Sequence, residues 1–250
     1  MNNNATLEKL KQLKLNGMAT AFQAAVETRS HQNMTADDLV SYIVEAEYND
    51  RNNRRISRSL ETAHFRYNAS IEEIDFRSQR NLDKNNLLRL ADLSFITNKE
   101  NIIITGKTGV GKSFLASAIG HQACIRGYKV MYFNTGKLFS KLKMSGADNS
   151  YIKEIRKIEQ QDLIILDDFG LQPFDSPSRL YLLEILEDRH GKHSTIITSQ
   201  LPVSNWYEII DDATIADAIL DRIVHSSHRI ELNGESLRKK ENNKATREKQ

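Results

Sequence analysis

The chain has 250 residues, 35 basic against 33 acidic side chains, and one cysteine. That near-balance excludes a generally cationic surface, so nucleic-acid contact has to come from local basic clusters, and a single Cys124 excludes an intrachain disulfide or a cysteine-rich metal site. The opening residues lack a basic-then-apolar leader and no apolar run is long enough to span a bilayer, so a cytoplasmic protein without membrane contact is expected.

In chain order, Leu7, Leu10, Met18, Ala21, Phe22 and Ala25 recur at helical spacing, which predicts a helix over 7–26 with a break at Gly17. Thr35 and Asp38 have capping-box spacing at the start of a second helix. Its apolar stripe is Leu39, Tyr42, Ile43 and Ala46, and it runs through an arginine-rich segment towards Leu60. Residues 70–75 read as a loop and turn, and 81–93 as a connecting helix. Beyond Lys99, strands and helices alternate. Strands are expected at 101–105, 129–133, 163–167, 195–199 and 229–232, with helices at 112–126, 136–144, 151–159, 178–189, 204–210 and 213–224. Residues 145–150 read as a polar surface loop, and Cys124 as a small buried apolar residue in the helix after 112. The expected fold is α/β, a doubly wound, parallel, five-stranded sheet preceded by a small all-helical domain. The expected division is 1–80 helical, 81–100 connecting, 101–238 α/β and 239–250 a basic tail.

The chemistry concentrates behind the first strand. Gly106-Lys107-Thr108-Gly109-Val110-Gly111-Lys112-Ser113 is a complete Walker A sequence in strand-loop-helix context, continued by Phe114. Its glycines let successive N–H groups face phosphates, Lys112 neutralises phosphate charge, and Ser113 offers a hydroxyl to Mg²⁺. ATP and Mg²⁺ are the expected ligands. Such a loop needs a metal-ligating acid on a neighbouring strand, and the run 162–168 supplies Asp167; Asp168 beside it suits orienting or deprotonating the attacking water. Many such ATPases carry the longer Glu at that place. On the second helix Arg51, Arg54, Arg55 and Arg58 crowd two faces, a pattern that a phosphate backbone would neutralise. Glu47 with Arg51 and Asp50 with Arg54 are alternative partners, and Lys9, Lys11 and Lys14 form a second basic candidate.

Taken together, Gly17-Met18-Ala19, the Walker A octapeptide, Leu166-Asp167-Asp168-Phe169-Gly170, the run from Ile197 to Pro202 and the run from Ala218 to His225 resemble the DnaC/IstB group of AAA+ ATPases, and more closely IstB-like transposition helpers. The closing 229–232 and 234–238 also fit, and the likeness extends over almost the whole chain. The resemblance implies a polar sensor at the end of the fourth strand, where Ser199 or Gln200 is favoured over Thr198. It implies that Arg222 is an arginine finger completing a neighbouring subunit's site, so that hydrolysis requires a homo-oligomer. It implies binding to duplex DNA with little sequence preference, and a transposase of the same insertion sequence as partner. No helical lid of the kind most AAA+ modules carry is expected after Leu232; the resemblance offers Arg238 as a stand-in for the lid arginine, and a disordered basic tail is the alternative. A helicase loader shares the ATPase core and is the nearest rival; a small-molecule P-loop kinase is a more distant one.

Overall fold

The computed structural model describes residues 3–76, 80–147 and 149–237. It forms two compact units, Met1–Arg58 and Ser59–Gln250.

The first unit is helical, with α1 (Asn3–Gln12), α2 (Asn16–Glu27), a 3₁₀ turn at Ser30–Asn33 and the greater part of α3 (Ala36–Ala63). The helix break falls at Lys14, before Gly17. Lys14 adopts φ 59° and donates to Lys11 O at 2.9 Å, while Leu15 N donates to Leu10 O at 2.9 Å, a paired C-terminal cap that stops α1. Gly17 instead lies in the first turn of α2, where a Cβ would stand 2.5 Å from Ala46 O on α3. Because α2 has no side-chain cap of its own, Glu47 of α3 serves it. Its Oε2 accepts from Gly17 N at 2.8 Å and Met18 N at 3.2 Å. The capping box at Thr35 and Asp38 forms as expected, with reciprocal bonds of 3.1 and 3.2 Å. Tyr42 leaves the expected stripe and is exposed.

In the second unit the last turn of α3 and the following extended segment bury Ala63, Ala69 and Ile74 in the same core as the sheet. Residues 59–76 therefore pack with the α/β unit, and the division comes earlier than residue 80. The connecting segment is two short helices, α4 (Lys84–Ala91), capped by Asp83, and α5 (Ser94–Thr97), separated by Leu93 at φ 66°. The sheet follows: β1 (Asn101–Gly106), α6 (Lys112–Ile125), β2 (Val130–Asn134), α7 (Thr135–Ala147), α8 (Tyr151–Glu159), β3 (Leu163–Phe169), α9 (Ser176–Arg189), β4 (Ser194–Ser199), α10 (Trp206–Ile210), α11 (Ala213–Val224) and β5 (Ser227–Leu232). α7 continues to Ala147 where a loop was expected, since Ser145 is buried and its hydroxyl bonds Leu142 O at 2.8 Å.

All pairings are parallel, in the order β2-β3-β4-β1-β5. Both sheet faces are covered, which explains the near-continuous apolar strands. Ile102, Ile104, Leu163 and Ile165 face one core with α6, whereas Ile103, Ile164 and Leu166 face the other with α7 to α11. At about 1.5–3 kcal/mol per fully buried aliphatic side chain, these alternating positions fix the strand register strongly. One buried polar staple joins the strand starts. Arg189, 1% exposed, donates to Ile158 O at 3.0 Å, Gln161 O at 2.8 Å and Ser194 O at 2.7 Å. Burial lowers its pKa to about 9, with Asp162 opposing. Cys124 is buried, as expected, and burial pushes its thiol pKa up.

Candidate nucleotide-binding and hydrolysis site

β1 delivers the chain to Gly106 and α6 takes it up at Lys112, so the Walker A loop lies at the carboxyl end of the sheet, beside the switch between β1 and β4. Gly109 has φ 85°, and a Cβ there would stand 2.2 Å from Ser236 Oγ. The residues after β5 line this loop, Leu237 N donating to Gly109 O at 2.9 Å and Asn233 N to Arg80 O at 3.0 Å. Arg238 lies outside the described residues. Lys112 is 6% exposed and its Nζ donates to Gly106 O at 2.7 Å and Lys107 O at 2.9 Å. Burial lowers its pKa, while Asp167 and Asp168 work in the opposite direction. Thr108 Oγ1 donates to Gln200 Oε1 at 2.7 Å, which ties the loop to the end of β4. Val110 and Phe114 turn their side chains into packing, Val110 fully buried and the Phe114 ring 6.2 Å from that of Tyr67.

Asp167 is fully buried and, among the described residues, each of its oxygens has two donors. Oδ1 accepts from Ser113 Oγ at 2.8 Å and from Thr198 Oγ1; Oδ2 accepts from Arg66 Nη1 at 3.1 Å and from the Tyr132 hydroxyl. Burial and then Asp167 push the Tyr132 hydroxyl pKa up, so it stays a donor. Asp168 Oδ2 accepts from Arg66 Nη1 and from Asn134 Nδ2, each at 3.0 Å. The donor set facing a cation here is hard oxygen, a hydroxyl and a carboxylate 2.8 Å apart, which fits Mg²⁺ shared with substrate phosphates. No group of three or more metal-ligating His, Cys, Asp or Glu side chains occurs among the described residues.

Register explains why Thr198, and not Ser199, faces this centre. Leu166 pairs with Ile197 and Phe169 with Ser199, so two residues of β3 oppose one of β4, and Asp168 takes φ 58° within that irregularity. Thr198 stands opposite the extra residue and also accepts from Asp168 N at 3.3 Å. Ser199 is turned away, donating to Phe169 O at 2.8 Å and accepting from Leu201 N at 3.1 Å. Simple alternation along an unbroken strand misses this shift. Tyr132 and Asn134 were missed as well, although β2 places Asn134 directly beside Asp167. Arg66 carries no signal in the sequence, since it approaches Asp167 from 101 residues away.

Arg222 lies on α11, whose backbone meets the start of β1: Asn101 Nδ2 donates to Arg222 O at 3.2 Å. The Walker A loop leaves the other end of that strand. The Arg222 guanidinium pairs with Glu187 on α9 at 2.5 Å and donates to Ala218 O at 2.7 Å, while the neighbouring Asp221 Oδ1 lies 3.3 Å from His225 Nε2. Among the basic candidates of the helical unit, Arg51 is held by Glu47 at 2.6 Å and Arg54 by Asp50, while Arg55 donates to Asn52 at 2.8 Å. Lys11 pairs loosely with Glu8 at 3.6 Å; Lys9, Lys14 and Arg58 are exposed.

A doubly wound parallel sheet with a Walker A loop after β1 and an acidic pair at the end of β3, across the intervening β4, defines a P-loop ATPase. Within that class the chain belongs to the family of IstB-like ATP-binding proteins, whose model matches residues 8–245. It is 43% identical over 240 residues to the insertion sequence ATP-binding protein y4pL of Sinorhizobium fredii, covering 96% of this chain and 98% of the relative. It is 36% identical to the ATP-binding protein of insertion sequence IS1162 from Pseudomonas fluorescens, covering 80% and 87%. The fold is shared with the solved structures of DnaI (TM-score 0.57, 22% identity, 71% and 94% covered) and the DnaC helicase loader (TM-score 0.56, 20% identity, 67% and 98% covered).

Proposed function

We propose that this ATPase is an assembly factor for DNA transposition: it binds duplex DNA with little sequence preference as an ATP-dependent homo-oligomer, and recruits or regulates the transposase of its own insertion sequence. The observation that carries the reading is the Walker A loop joined to Asp167 through Ser113, in a chain whose relatives over nearly their whole length are insertion sequence ATP-binding proteins. Residues Gly106 to Phe114 cradle the nucleotide, with Lys112 exchanging its two loop carbonyls for phosphate oxygens. Ser113 and Asp167 would hold Mg²⁺, which when bound neutralises charge on the phosphates. Asp168 orients the attacking water, with Thr198 and Gln200 sensing the γ-phosphate end of the site.

Arg222 acts in trans. Its side chain is 24% exposed and its cis partner Glu187 is an exposed carboxylate, so the pair is weak and free to exchange for a neighbour's phosphate. On the helical unit Lys9, Lys14, Arg55 and Arg58 are the first candidates for DNA phosphates. Arg51 and Arg54 contribute less because carboxylates already hold them.

The deciding experiment measures binding of the full chain to random-sequence duplex and single-stranded DNA with ATP, ADP or no nucleotide, over a salt series. ATP-dependent duplex binding in large complexes supports the proposal. Preference for single strands favours a helicase loader, and absence of DNA binding overturns the reading.

A further inference from the structure

Arg66 follows the end of α3 by three residues, and both of its neighbours are anchored. Phe65 packs edge-on to Tyr132 with centroids 6.5 Å apart, and Tyr67 packs on Phe114 at 6.2 Å. Between these anchors the backbone presents the guanidinium to the end of β3. There a single nitrogen, Nη1, reaches Asp167 Oδ2 at 3.1 Å and Asp168 Oδ2 at 3.0 Å. Burial pulls the Arg66 pKa down, but the hydrogen bond to Asp167 and the charges of Asp167 and Asp168 outweigh it, so the group stays charged. Two adjacent carboxylates repel when both are ionised, and Arg66 is the cation placed between them.

The contacts on Asp168 are one-sided. Arg66 and Asn134 both bind Oδ2, and among the described residues Oδ1 takes no hydrogen bond. Arg66, Asn134 and Asp168 also line a cavity of about 520 Å³ with His64, Lys137 and Lys141. Asp is one methylene shorter than the Glu that commonly serves this role, so the direction of its free oxygen matters more.

We propose that Arg66 is a positioning residue for ATP hydrolysis: it grips Asp168 by Oδ2 and leaves Oδ1 as the oxygen that holds the attacking water. This rests on the reading of Asp168 as the water-orienting carboxylate. It assigns to the segment after α3 a part in the hydrolytic step that the Walker motifs do not contain. Because one nitrogen makes both contacts, a lysine ammonium replaces it in kind, at shorter reach.

The test compares steady-state ATP hydrolysis and fluorescent ATP-analogue binding for wild type, Arg66→Ala, Arg66→Lys and Asp168→Asn, each as the full chain. Arg66→Ala is expected to lower kcat by about tenfold or more while analogue affinity stays within about twofold, since the contact is to carboxylates and not to nucleotide. Arg66→Lys should recover part of the loss, and millimolar guanidinium should raise the rate of Arg66→Ala alone. A wild-type kcat in Arg66→Ala beside a slow Asp168→Asn overturns this inference and leaves Asp168 in place. Wild-type turnover in Asp168→Asn overturns both. Parallel loss of binding, kcat and thermal stability in Arg66→Ala, without rescue by lysine or guanidinium, would make Arg66 a structural residue only.

Discussion

Lys112 is held by two carbonyls of its own loop, and that choice of partners defines what its loss does. Replacing Lys112 by Ala removes a charge-assisted contact to phosphate worth about 2–3 kcal/mol, so ATP affinity should fall roughly 30- to 140-fold by titration calorimetry. An unchanged affinity would remove the Walker A assignment. Asp168→Asn keeps the shape and the hydrogen bond from Arg66 but loses the negative charge, so ATP binding should persist while turnover slows and DNA-bound oligomers last longer. Turnover in single-cycle assays reads this directly. Most of these side chains were legible in the sequence because Walker spacing is local. Thr198 was not, because a one-residue irregularity between Leu166 and Phe169 decides which hydroxyl of β4 faces Asp167.

Elements depend on contacts that span tens of residues. Gly17 admits α3 so closely that Gly17→Ala forces an overpacked contact at Ala46 O, and about 1–3 kcal/mol of stability should be lost, read from denaturant unfolding. Glu47 gives a pH test of the same helix junction. Burial would raise its pKa, but Arg51 and the N–H groups of Met18 and Gly17 prevail and hold it below the usual carboxylate value. A depressed carboxylate contributes stability above its unfolded pKa, and that contribution disappears as pH falls through the folded value. Helicity of wild type should therefore fall below about pH 4.5, the region where free Glu protonates, more steeply than that of Glu47→Gln. Equal slopes would exclude the cap. At the sheet, Arg189→Leu leaves the carbonyls of Ile158, Gln161 and Ser194 without their donor, at a cost of roughly 3–5 kcal/mol and a lowered Tm.

At the scale of the whole molecule the question is how sites are completed. Arg222 is attached near the start of β1 and the Walker A loop near its end, so the arginine lies away from the loop of its own chain, and the finger role proposed for it is one in trans. Mixing Arg222→Ala subunits with Lys112→Ala subunits should then restore part of the hydrolysis that neither variant has, because some interfaces join an intact loop to an intact finger. Fluorescence energy transfer between differently labelled subunits confirms that mixed oligomers form; hydrolysis that stays absent while they do so counts against a finger in trans.

The sequence by itself determined the βαβ alternation, the Walker loop, the acidic pair and the capping box, since each is a pattern within a few residues whose chemistry depends on local spacing. It also indicated the ion pairs of Glu47 with Arg51 and Asp50 with Arg54, because i, i+4 neighbours meet on any helix. Only the tertiary structure decided the strand order, the packing of residues 59–76 with the sheet, the placement of Thr198, the pairing of Arg222 with Glu187 and the reach of Arg66 to Asp167. Each of these joins residues tens of positions apart, and which side chain arrives there depends on register and packing, for which a linear pattern has no counterpart.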